Sequence, residues 1–202
     1  MREKEKSKAD EDAELVSLCK QGSIDAFEVL VKKYQKRMFN IAYRMISNYE
    51  DACEVVQDAF VSVYKSIHTF KEKARFSTWL YTIVMNLSKN RLKQLQVKSY
   101  REELSIDDPV YTDDSMMKVE PVSGEPSMLE KLEREDIQQK IQRCINSLDS
   151  EYKEVIILRD IQGFSYDEIR DMLKIQEGTV KSRLFRARST LKDCLKRLMG
   201  DL

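Results

Sequence analysis

Histidine is almost missing from this chain, with His68 alone, and the four cysteines at 19, 53, 144 and 194 make no close pair. A structural zinc site needs clustered nitrogen and sulfur ligands, and a disulfide framework needs paired cysteines in a small secreted chain, so neither is expected. Four reduced thiols, packing mostly as small hydrophobes, are the expectation. Glycine and proline are also scarce, at five and three among 202 residues, while 35% of the chain is charged and 42% hydrophobic. That balance favours helices with heavily charged faces. No stretch approaches the roughly 20 apolar residues of a membrane span, and the opening MREKEKSKADEDAE lacks the apolar segment of a secretory signal. The expected compartment is the cytoplasm, with no membrane insertion.

Apolar residues recur at helical spacing from about Asp12, with breaks at Gln21-Gly22-Ser23, near Ser47-Asn48 and over His68 to Arg75. The first block therefore reads as four helices ending near Lys98. Helical spacing resumes at Met128 and breaks at Ser147-Leu148-Asp149, at Gln162-Gly163 and from Lys174 to Gly178. Between the blocks lie all three prolines, and from Glu102 to Glu125 eight acidic residues face the single base Lys118. Such a segment repels itself and stays extended. The expected organisation is all-α: an N-terminal tail over 1–11, a helical domain over 12–98, an acidic flexible linker over 99–127 and a second helical domain over 128–202.

The formal charge sums to zero, yet EGTVKSRLFRAR places four cations in twelve positions, 177–188. Just upstream, Ser165-Tyr-Asp-Glu168 has the pattern of a capping box and predicts a helix start. A short connection then leads to a second helix from about Gly178, the spacing of a helix-turn-helix. At about 100° per residue, Val180, Leu184, Ala187, Leu191 and Leu195 share one side of that helix. Lys181, Ser182, Phe185, Arg186 and Ser189 share nearly the opposite side, with Arg183 and Arg188 on the flanks. The major groove of DNA admits a helix, offers guanine acceptors to Arg or Lys and thymine methyls to an apolar ring. Flanking arginines suit the phosphates of the groove walls. The other reading of the same residues is a solvated terminal helix with one surface phenylalanine.

In the fourth helix of the first block, Leu80, Val84 and Leu87 oppose a stripe of Thr82, Asn86, Lys89 and Lys93, bordered by Trp79 and Asn90. The loop HTFKEKAR ahead of it adds Phe70 and three cations. Basic residues among aromatics match unpaired nucleic acid, whose bases stack on rings while cations follow the backbone, and a pocket for an extruded base would fit here. Alternatively Phe76, Trp79 and Tyr81 are ordinary core. In the third helix Ala52, Val56, Ala59 and Val63 oppose Asp51, Glu54, Asp58, Ser62 and Lys65, bordered by Gln57 and Val61. This acidic face suits a protein partner or plain solvent.

Taken in order, DAFEVLVKKYQKRMFNIAYRMI, EDACEVVQDAFVSVYKSIHTF and FSTWLYTIVMNLSKNRL resemble sigma region 2, and SYDEIRDMLKIQEGTVKSRLFRARSTL resembles region 4, of the extracytoplasmic-function sigma factors of the sigma-70 superfamily. The resemblance implies a non-catalytic promoter-specificity subunit of RNA polymerase that uses no cofactor and no metal. It implies docking of Asp51, Glu54, Gln57, Asp58 and Val61 on the clamp helices of the largest polymerase subunit, with the polymerase flap as a second contact. Recognition and melting of the minus-10 element falls to Phe70, Arg75, Trp79, Asn86, Lys89, Asn90 and Lys93. Thr179, Lys181, Ser182, Arg183, Phe185, Arg186 and Arg188 fall at the minus-35 element. The linker would thread the polymerase cleft and RNA exit channel. An anti-sigma factor is the implied regulator, and the free chain is expected to be a monomer.

Two other readings compete. A stand-alone helix-turn-helix regulator would explain the second block and leave the aromatic-basic and acidic helices idle. A helical enzyme acting on nucleic acid finds one histidine, no carboxylate cluster of metal-ligand spacing and no phosphate-cradling glycine loop.

Overall fold

A computed structural model describes residues 11–71, 74–103 and 128–200. The described chain is helical throughout, without a strand among those residues: α1 Ala13–Lys20, α2 Ile24–Ile46, α3 Tyr49–Ser66, α4 Phe76–Glu103, α5 Met128–Asn146, α6 Ser150–Ile156, α7 Tyr166–Leu173 and α8 Glu177–Met199. A 3-10 turn, Ile67–Thr69, follows α3, and a π-helical segment, Ile157–Ile161, continues α6. The all-α expectation thus holds. Residues 1–10 of the tail expected over 1–11, loop residues Glu72 and Lys73, the acidic stretch from 104 to 127 and residues 201–202 lie outside the described residues. Helix α4 runs five residues past Lys98, to Glu103.

Local chemistry sets the helix starts. The Ser23 hydroxyl accepts the Ala26 amide at 3.2 Å, and the Asn48 side chain accepts the Asp51 amide at 2.9 Å. At α7 the predicted capping box is complete: Ser165 Oγ accepts the Glu168 amide at 3.2 Å, and Glu168 accepts the Ser165 amide at 2.9 Å. Each arrangement satisfies amides that a helix start otherwise leaves without partners. Replacing Ser165 with alanine is expected to cost about 0.5–2 kcal/mol, read as a lower thermal midpoint. Two helices end on non-glycine residues in the left-handed region, Ser47 (φ 63) after α2 and Lys174 (φ 56) after α7. Both close the last turn by an amide hydrogen bond, to the carbonyls of Tyr43 and Arg170.

In the N-terminal lobe α2, α3 and α4 pack around fully buried Leu30, Met38, Ile41, Met45, Leu80 and Val84. In the C-terminal lobe Ile157, Leu158, Ile169, Val180, Leu184 and Ala187 form the interior. The apolar face assigned to α8 is therefore the buried one through Ala187, and it opens toward solvent at Leu191 and Leu195. The expectation of four reduced thiols fails here. Packing of α5 against α8 brings Cys144 and Cys194 into a disulfide across 50 residues of sequence. Cys19, buried, and Cys53, exposed, are free.

The lobes meet along one seam. Tyr81 of α4 stands edge-on to Phe164, with ring centroids 4.7 Å apart. The Ser47 hydroxyl donates to the Asn146 side-chain oxygen at 2.6 Å, and Gln142 donates to the Arg44 carbonyl at 3.3 Å. The Lys153 ammonium donates to the Met45 carbonyl at 3.3 Å. Arg44 and Met45 lie in the last turn of α2, where carbonyls lack helical partners, so residues of one lobe cap a helix of the other. Burial pushes the Lys153 ammonium below the ordinary lysine range.

Candidate nucleic-acid and polymerase-docking surfaces

Helix α8 presents the predicted face. Because Val180, Leu184 and Ala187 are buried, residues half a turn away must point outward, and Lys181, Ser182, Phe185 and Arg186 are all exposed. Phe185 reaches 77% exposure, the highest among the exposed large hydrophobic residues. An aromatic ring left that open gives up most of its burial free energy. Thr179 is half-buried at the first turn. The flanking arginines are held by acids from the preceding elements. Arg183 pairs with Glu151 of α6, and Arg188 forms a fork on Asp160 of the π-helical segment, at 2.6 and 2.9 Å. Lys181 is drawn back onto Glu177 at 2.5 Å, and that hydrogen bond holds its ammonium above the ordinary lysine value. The periodicity gave no sign of Glu151 or Asp160 as partners, since each lies 28 or more residues from its arginine.

On α4, Asn86, Asn90 and Lys93 are exposed along one stripe, and Arg75 is exposed at its start. The aromatic residues divide differently. Phe76 and Tyr81 are buried, so the core reading applies to them; Trp79 is half-buried. Phe70, expected beside an extruded base, lies with its ring buried, stacked on Trp79 at 4.7 Å and edge-on to Phe76 at 6.2 Å, with the Lys20 ammonium 5.7 Å from its centre. Lys89 is half-buried, because Glu154 of α6 takes its ammonium at 3.0 Å. The structure thus gathers Asn86, Asn90 and Lys93 on an open face, sets Phe70 beneath Trp79, and ties Lys89 into the seam.

On α3, Glu54, Gln57, Asp58 and Val61 are exposed, Val61 at 46%. Asp51 is not part of that open face. Arg91 of α4 crosses to it, donating from Nε at 2.7 Å and from Nη2 to the same oxygen, and also reaches Glu54 at 2.7 Å. The Asp51 carboxylate holds the Arg91 guanidinium above its ordinary value. Arg91 went unread because its partner lies 40 residues away, and nothing local marks the pair.

Among the described residues no group of three or more His, Cys, Asp or Glu could hold a metal ion, and no described helix is long and apolar enough to cross a membrane. What remains is two helical lobes: one with a basic helix-turn-helix face, the other with an acidic face and a polar-basic face on adjacent helices. That combination defines a transcription initiation factor of the sigma type, and comparison with known proteins agrees. The family model of sigma-70 region 2 matches residues 30–97, and that of sigma-70 region 4 matches residues 138–191. The ECF RNA polymerase sigma-E factor of Haemophilus influenzae is 31% identical across 93% of this chain and 97% of its own length. The ECF RNA polymerase sigma factor SigW of Bacillus subtilis is 33% identical across 89% of this chain and 94% of its own. In fold, the chain resembles CnrH in its complex with the cytosolic domain of CnrY, with a TM-score of 0.66 and 24% identity over 92% of this chain and 97% of that one. The chain belongs to the ECF sigma factors of the sigma-70 family. It is a non-catalytic specificity subunit of RNA polymerase, and the stand-alone regulator is set aside.

Proposed function

We propose that the exposed face of α8 reads the minus-35 element in the major groove, with Lys181, Ser182, Phe185 and Arg186 at base edges. Arg183 and Arg188 take the phosphates on either side, exchanging Glu151 and Asp160 for backbone oxygens, and Thr179 approaches the backbone at the helix start. Asn86, Asn90, Lys93 and Arg75 engage the minus-10 element as it opens. Lys89 joins them once released from Glu154, and Trp79, with one ring face backed by Phe70, offers the other for stacking. Glu54, Gln57, Asp58 and Val61 dock on the clamp helices of the largest polymerase subunit, with Asp51 serving through Arg91 to hold α3 against α4. The region between Glu103 and Met128 threads the polymerase cleft, and the C-terminal lobe meets the flap. The chain works in the cytoplasm as a monomer when free and answers to an anti-sigma factor.

The observation that carries the reading is the outward Phe185 set among Lys181 and Arg186 on a helix whose opposite side is buried. Solvent offers that ring nothing, whereas thymine methyls do. Replacing Arg186 with alanine is expected to weaken holoenzyme binding by about 1–3 kcal/mol on the preferred promoter and to relax preference at one minus-35 position. Competition binding across single-base variants of that element reads both effects. An equal loss on every variant would move Arg186 to a phosphate.

A further inference from the structure

Promoter reading gives the Cys144–Cys194 bond no task. In a cytoplasmic chain such a bond meets a pool of reduced thiols, where cysteine pairs that close are ones that open and close in use. Its two ends differ in access. Cys144 has no exposed surface, whereas Cys194 is half-buried and reached from solvent. Cys144 and its neighbour Ile145, both buried, stand apart from the continuous core that includes Leu148 and Ala187. The buried positions of α8 end at Ala187, about two turns short of Cys194.

We propose that Cys194 is a site of thiol–disulfide exchange with an anionic low-molecular-weight disulfide, and that Cys144 is the resolving thiol whose bond braces α8 against α5. The proposal rests on the cytoplasmic, promoter-reading role given above. Closure takes two displacements. The Cys194 thiolate attacks one sulfur of the small disulfide and breaks its S–S bond, so that a mixed disulfide forms on Cys194 and one small thiol leaves. The Cys144 thiolate then attacks Cys194 Sγ, and the second small thiol leaves. Two cysteine thiols lose two electrons, the small disulfide gains them, and the two thiol protons end on the released thiols. Opening is the reverse: a small thiolate attacks Cys194 Sγ, and Cys144 departs first.

Access assigns the roles, because exchange depends on which sulfur a small molecule can approach. Cys194 offers that approach and the enclosed Cys144 does not. Charge selects the class of co-reactant. Lys192, Lys196 and Arg197 stand within three residues of Cys194 against the single acid Asp193, and all four are exposed. An anionic disulfide is drawn to that end of α8 and a cationic one repelled. The output is mechanical. With the bond closed, α5 splints the part of α8 that begins less than two turns past Arg188; with it open, that part rests on half-buried Leu191 and Leu195. Holding a helix in its bound shape before it meets DNA raises affinity, because less ordering is left to do on binding.

The test uses the full chain carrying Cys53→Ser, since the exposed Cys53 thiol would take up a label of its own. This chain, and the same chain with Cys144→Ser or Cys194→Ser added, is reduced and then treated with oxidised glutathione as the anionic probe or cystamine as the cationic one. Intact mass follows the reaction, with each rate taken relative to the same probe on free cysteine. Cys144→Ser should accumulate a glutathione adduct on Cys194, Cys194→Ser should react roughly tenfold more slowly, and the chain with both cysteines should close its bond and keep no adduct. Equal rates at the two cysteines, as in an unfolded chain, overturn the roles. A relative rate for glutathione no higher than that for cystamine overturns the anionic class, and a bond that reduced glutathione never opens overturns the exchange. Oxidised and reduced chains are then assembled with core polymerase. The oxidised holoenzyme should bind a promoter with an intact minus-35 element about three- to tenfold tighter, and the two should bind alike once that element is scrambled. Cys144→Ser should match the reduced chain under both conditions, which separates the bond from any effect of reductant on the polymerase. Equal affinity of the two states on the intact promoter overturns the brace. Promoter DNA bound by neither holoenzyme sinks the promoter role and the brace with it, and leaves the exchange at Cys194 to be judged by its adduct.

Discussion

Replacing Phe76 with alanine is expected to destabilise the N-terminal lobe by about 3–5 kcal/mol, a large part of the stability of an ordinary domain. Phe76 is the first residue of α4 and has no exposed surface. Its ring meets Tyr34 at 5.8 Å, Trp79 at 6.0 Å and Phe70 at 6.2 Å, so three aromatic neighbours from three segments converge on it. Truncation leaves a cavity that rigid rings cannot collapse into, which places the cost at the upper end for a core aromatic. It also removes the floor under the Phe70–Trp79 stack, loosening the start of the helix assigned to the minus-10 element. Urea unfolding followed by Trp79 fluorescence should show a midpoint lower by roughly 2 M. Phe76→Leu, which refills most of the volume, should lose less than half as much. Equal losses in the two variants would show that ring packing is not what holds this corner.

Loss of the Cys144–Cys194 bond should destabilise the C-terminal lobe by roughly 2–4 kcal/mol. The bond closes a loop of 50 residues, and cross-links of that span remove much of the unfolded chain's freedom. The thermal midpoint should fall by roughly 10 °C with reductant or in Cys144→Ser. Reductant should then have no further effect on the variant, an internal check that the free thiols at Cys19 and Cys53 play no part. The bond ties α5 to the distal half of α8, beyond Ala187, where the apolar face of α8 is only half-buried. It thus steadies the stretch of α8 that core packing holds least.

How much of this was legible in the sequence depended on the range of the interaction. The start of α7 was readable because Ser165 and Glu168 are three residues apart and complete their bonds between themselves. The faces of α8 were readable because periodicity alone separates Val180 and Leu184 from Lys181 and Phe185. Long-range partnerships were not. Asp51 looks like open acidic surface until Arg91 arrives from another helix, and Lys89 looks like one more groove cation until Glu154 claims it. Phe70 follows a flexible-looking turn, yet its ring is drawn under Trp79 because burying an aromatic is worth more than exposing it. The cysteines seemed solitary because only tertiary packing of α5 on α8 reveals them as neighbours. The π-helical segment at Ile157–Ile161 has no sequence signal that we can identify, although it places Asp160 against Arg188.

The length of α4 carries a mechanical consequence. Its 28 residues form a rod of about 42 Å at 1.5 Å per residue, and the chain leaves it at the end remote from Phe76. The 24 residues from there to Met128 can stretch to about 80 Å at most. At full stretch rod and leash together reach about 120 Å, roughly 35 Å more than the interval of about 85 Å between two elements about 25 base pairs apart, and a third of the leash is most of that surplus. Shortening that leash by a third should therefore narrow the range of spacer lengths the holoenzyme tolerates while leaving its preference for bases within each element as it was.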